Sequence, residues 1–107
     1  MNWRESLDSP GNILSAAKAL IEGDRAEQHG DFIETHECIA MIASMVLRDK
    51  LSKALSASDV LLFMACLKLG RITHGKLNKD DAIDLCGYVA LAMTALEREA
   101  FHDNNSV

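Results

Sequence analysis

Apolar residues recur along the chain at helical spacing in four blocks, separated by polar or glycine-marked joints. In the first block, Ser9-Pro10-Gly11-Asn12 offers a capping residue and a proline suited to a first turn. Ile13, Leu14, Ala17, Leu20 and Ile21 then share a face until Gly23 stops the pattern. Asp24 to Gly30 is a densely charged connector, and Gly30-Asp31 supplies a turn and an N-cap. The second helix is predicted from Phe32 to about Lys50, with Ile33, His36, Ile39, Ala40, Ala43, Val46 and Leu47 facing inward. After a joint at residues 52–56, Ser58-Asp59 is expected to cap a third helix from Val60 to about Thr73. His74-Gly75 closes that helix. Asn78 or Asp80 caps a fourth, apolar on both flanks as far as Glu97, before a tail over residues 101–107 that is expected to fray.

The third and fourth helices are apolar almost all round, and a chain of 107 residues encloses too little core to cover both. Large contiguous apolar surface is rare on monomers, so the pattern predicts self-association. Length allows one domain, residues 1–107 with a core of about residues 12–98. Composition agrees with an all-α fold: β-branched residues are scattered singly among helix formers, and the one proline lies near the start.

A net charge of −5, with no Lys/Arg stripe interleaved with aromatics, argues against nucleic-acid binding. No apolar stretch approaches the ~18 residues that span a bilayer, and the first ten residues carry Arg4, Glu5 and Asp8 rather than a secretion signal. A cytoplasmic protein with no membrane partner is expected. Cys38, Cys66 and Cys86 match no CxxC spacing and read as buried free thiols in a reducing compartment. His29, His36, His74 and His102 form no HxxxH or HExxH pair, and each reads as a capping or core residue. There is no nucleophile elbow, Walker loop or GxGxxG, so nothing supports covalent catalysis.

Two acidic doublets are the most informative chemistry: Glu34 with Glu37 in the second helix, and Asp81 with Asp84 in the fourth. Residues three apart share a helix face. If the two helices lie side by side, four carboxylates converge, which would require a hard cation such as Mg²⁺ or Mn²⁺ among them. Taken singly, each doublet is also what a solvated helix start looks like, since the macrodipole favours acids there. Lys68 and Arg71, again three apart, lie inside the apolar third helix and need partners. Pairing with the carboxylates and holding a ligand's phosphates account for them equally well.

The ordered set GDR, HGD, ExxE, LKLGRI and DxxDxxGY resembles the all-α nucleoside triphosphate pyrophosphohydrolases of the MazG kind, in particular the small phage-encoded MazZ diphosphohydrolases. The likeness spans roughly Ile13 to Leu96. It implies a four-helix bundle intertwined as a homodimer or homotetramer, with Mg²⁺ or Mn²⁺ held by Glu34, Glu37 and Asp84, and less directly by Asp81, whose side chain is shorter than the family's usual Glu. It further implies water attack on the α-phosphorus of a nucleoside triphosphate, releasing monophosphate and pyrophosphate. Glu34, Glu37 and Lys68 would be catalytic, and Lys68, Arg71 and Arg25 would hold phosphates. The phage branch implies dGTP or GTP as substrate and a host's cytoplasm as the setting. Two alternatives keep the same fold: a nucleotide-binding domain without turnover, and a helical adaptor whose charges serve packing alone.

Overall fold

A computed structural model describes residues 9–23 and 32–105. They form four α-helices, α1 (Pro10–Glu22), α2 (Phe32–Val46), α3 (Ala57–His74) and α4 (Lys79–Asn105), with a short 3-10 turn at Arg48–Lys50 and no strand among the described residues. The all-α expectation holds.

Local chemistry explains the boundaries. Ser9 caps α1, its Oγ accepting from the Asn12 N–H at 3.3 Å, and Pro10 occupies the first turn. Gly23 ends the helix by donating its N–H to Ala19 at 2.7 Å; a Cβ there would lie 2.5 Å from that carbonyl oxygen, so only glycine fits. The capping of α3 differs from expectation. Its cap is Ser56, in a reciprocal box in which Asp59 Oδ2 accepts from the Ser56 N–H (2.9 Å) and Ser56 Oγ from the Asp59 N–H (3.3 Å). Ser58 is instead buried, and its N–H and Oγ both donate to Glu99 Oε1 of α4, at 3.3 and 3.1 Å. At the start of α4, Asn78 Oδ1 accepts from the Asp80 N–H at 2.9 Å. That helix continues through Asn105 rather than fraying at Phe101, because Glu97-Arg98-Glu99-Ala100 are strong helix formers with no breaker after them. Conversely α2 stops at Val46, short of Lys50, where the chain tightens into the 3-10 turn.

Helices α3 and α4 pack along one another, α1 lies against α4, α2 lies against α3, and α2 meets α4 only briefly. Ile33, Ala57, Leu61, Ala92 and Ala95 form the core, with Tyr88 and Leu91 partly buried against it. Among the described residues Leu61 is the one large side chain that is fully buried, so the helices meet mostly through alanines. On α2 the structure buries Ile33, His36 and Ala40 but exposes Ile39 and Val46, and just beyond the helix Leu47, all three of which were expected to face inward. Among the described residues no helix covers this side of the second half of α2. Phe63 on α3 and Met93 on α4 are also mostly exposed. The cysteines depart from expectation too: Cys38 and Cys66 are exposed and Cys86 is half-buried, all as free thiols.

The accessible surface is 8129 Å², whereas a folded monomer of this mass exposes about 5,900 Å². The radius of gyration is 16.1 Å, against about 13 Å for a compact domain of this length.

Candidate functional site

Lys68 and Arg71 lie one turn apart on α3 and face the first turns of α4, where Asp81 and Asp84 are spaced the same way. The matched spacings produce a network. Lys68 Nζ sits 3.1 Å from Asp84 Oδ2 and 3.9 Å from Asp81 Oδ1, and Arg71 Nε sits 3.2 Å from the same Asp81 oxygen. Two cations thus balance two carboxylates.

The members are not equally placed. The Asp81 side chain is 6% exposed and wedged between both cations, while that of Asp84 is 27% exposed and paired with Lys68 alone. Arg71 reaches outward, with 57% of its side chain exposed. Bringing these charges out of water is offset only because each finds an opposite partner.

Lys68 and Asp84 form the polar wall of a cleft of about 230 Å³ to which all four helices contribute: Leu20 and Ile21 from α1, Phe32 from α2, and Gly87, Tyr88 and Leu91 from α4. Phe32 and Tyr88 are held by His36, a buried histidine on α2. Its Nδ1 donates to the Phe32 carbonyl at 2.6 Å, and its ring meets Tyr88 edge-on with centroids 6.0 Å apart. Neither Phe32 nor His36 stood out as a site residue in the sequence. Tyr88 lay within the DxxDxxGY pattern, and His36 on the predicted inward face, but nothing in the spacing showed that both would meet at the cleft.

The expected convergence of four carboxylates does not occur within one chain. Glu34 and Glu37 are exposed on α2, and Glu37 lines a different, largely apolar groove of about 670 Å³ beside Met41, Met45 and Glu99. Among the described residues no three His, Cys, Asp or Glu side chains are grouped to hold a metal ion. The reason is which face of α2 is turned inward: where α2 meets α4 it presents Ile33 to the shared core and His36 to Tyr88, and Glu34 and Glu37 stay on its exposed side. Arg25 and His29 fall outside the described residues. His74 is exposed and in contact with the Thr73 hydroxyl at 3.2 Å, and His102 is exposed on α4.

Fold and site together define an all-α protein with a small cleft at the meeting of its helices, walled by an ion-paired lysine and aspartate and flanked by two aromatic rings. The chain belongs to the family described as domain of unknown function DUF6378, which matches residues 12–96 and so takes in every residue of the cleft. It is also 31% identical over 80 residues to the Gene 55 protein of Mycobacterium phage L5, across 75% of this chain and 49% of that protein. The chain therefore spans about half the length of this curated relative. No solved structure matches it.

Proposed function

We propose that the chain is a metal-dependent nucleoside triphosphate diphosphohydrolase, acting as a homo-oligomer on a purine nucleotide, with dGTP or GTP the first candidates. The observation that carries this reading is the cleft itself. A lysine held by two aspartates stands beside two aromatic rings, which joins a phosphate-binding cation to surfaces on which a base can stack.

Hard cations take oxygen ligands. Asp84 suits that role, since its Oδ1 has no partner among the described residues, and the exposed Glu34 and Glu37 offer further oxygens. Asp81 suits it less, because Lys68 and Arg71 already neutralise it. When bound there, Mg²⁺ or Mn²⁺ would supply a water of lowered pKa and offset charge on the phosphates. Lys68, at the cleft wall, would steady the α-phosphate and Arg71 would hold the departing pyrophosphate, a role the resemblance also gives to Arg25. Water adds to the α-phosphorus, the bond to the bridging oxygen breaks, and that oxygen leaves with pyrophosphate. At about 230 Å³ the cleft is smaller than the ~300–1,000 Å³ usual for ligand sites, so a second copy is assigned the rest of the pocket. A homologue in a phage accords with a role in phage nucleotide metabolism inside a host, and no helix among the described residues is long and apolar enough to cross a membrane.

One observation favours a second reading. A network of two cations and two carboxylates that satisfies itself is also what a helical adaptor would use to lock α3 onto α4. Pyrophosphate release from the common ribo- and deoxyribonucleoside triphosphates, with Mg²⁺ or Mn²⁺, separates the two. Release by the wild type that Glu34→Gln lacks is the expected result. No release from any triphosphate with either metal would sink the hydrolase and leave the adaptor.

A further inference from the structure

We infer that the turn between α3 and α4 is a binding site for a phosphate-class oligoanion such as inorganic pyrophosphate. An open cavity of about 890 Å³ wraps this turn, and its walls carry Arg71 and His74 from the last turn of α3, Lys76 from the turn itself, and Lys79 and Asp81 from the start of α4. Cations thus gather in a concave place on a chain whose net charge is −5.

The donors point to an anion. Arg71 spends only Nε on Asp81, and its two terminal nitrogens have no partner among the described residues. A guanidinium presents a planar fork suited to phosphate oxygens. Among the described residues the Lys76 ammonium has no partner, and the main-chain N–H groups of Lys76, Leu77 and Asn78 meet no acceptor. The positive end of α4 opens onto the same space. Of the nearby carboxylates, Asp81 is already neutralised by Lys68 and Arg71, and Asp80 lies in the exposed first turn of α4. Helix polarity alone accounts for Arg71 and His74 at the C-terminal end of α3. It does not account for Lys76, which lies beyond the helix, or for the cavity.

This inference deepens the hydrolase reading, because Arg71 stands one turn from Lys68 and the site would receive the terminal phosphates of the nucleotide. Its test needs no turnover. Calorimetric titration of the full chain with pyrophosphate, free of divalent metal, compares the wild type with Lys76→Glu and with Lys53→Glu. Lys53 lies in the exposed segment before α3, at the opposite end of that helix from the turn, and its substitution makes the same charge change. The expected result is saturable binding whose Kd rises at least roughly tenfold in Lys76→Glu and stays near wild type in Lys53→Glu, as befits loss of one charge-assisted contact. Absence of saturable binding by the wild type, or equal weakening in both variants, would overturn the site. Pyrophosphate binding without triphosphate hydrolysis sinks the hydrolase alone, and hydrolysis without binding at the turn sinks this inference alone.

Discussion

Asp81 and Asp84 are three residues apart in one helix, yet their carboxylates have different surroundings. Asp81 is enclosed and receives two cations; Asp84 is more open and receives one. Removing the charge at Asp81 therefore forfeits the close contact with Arg71 and the longer ion pair with Lys68, at a side chain that is itself nearly buried. Asp81→Asn is expected to lower unfolding free energy by about 2 kcal/mol. Asp84→Asn gives up one partly solvated pair and is expected to cost no more than about 1 kcal/mol. Urea denaturation of both variants measures the contrast, and equal losses would remove the distinction between a packing aspartate and a ligand-facing one. A similar division applies to His36, whose hydrogen bond to Phe32 and edge contact with Tyr88 make it a positioning residue for the cleft.

At the level of elements, caps and glycines carry consequences of opposite sign. Ser56→Ala removes one half of the α3 capping box and should destabilise by about 1 kcal/mol in the same denaturation experiment. Gly87→Ala should do the reverse. A Cβ at Gly87 would lie 3.8 Å from Ile21, an ordinary contact, and alanine is the better helix former by roughly 0.8–1 kcal/mol. Because Gly87 also lines the cleft, the added methyl narrows it. A raised Tm together with weaker nucleotide binding is the expected pair of results. A raised Tm with unchanged binding would place the nucleotide elsewhere.

For the whole molecule, large apolar side chains remain exposed on several helices, among them Ile42 and Val46 on α2, Phe63 on α3 and Met93 on α4. Ile39, Ile42 and Val46 line one side of α2 at helical spacing, and all three are exposed. A second copy is the proposed cover. Light scattering after size exclusion should show a dimer or tetramer, and Ile42→Glu should shift it toward monomer. A wild type that stays monomeric at every concentration would refute self-association and leave this face for another partner.

Much of this protein was readable before any coordinates. Four helices, the Pro10 start, the Gly23 and Gly75 stops and a cap for the last helix at Asn78 or Asp80, of which the structure uses Asn78, follow from hydrogen bonds between residues a few positions apart, which local sequence controls. Spacing likewise put Lys68 with Arg71, and Asp81 with Asp84, on common faces. Even the error at α3 was local, since Asp59 is the third-position partner in the box rather than part of the cap. Periodicity, however, marks an apolar stripe without saying whether the same chain covers it, so the far half of α2 was assigned to a core that does not reach it. Nor does spacing reveal which faces meet. Only the tertiary arrangement, with α3 packed along α4 and α2 turning Ile33 and His36 inward, sent the aspartates to Lys68 and Arg71 and left Glu34 and Glu37 exposed. That choice depends on contacts between residues far apart in the chain, whose free energy no short stretch of sequence contains.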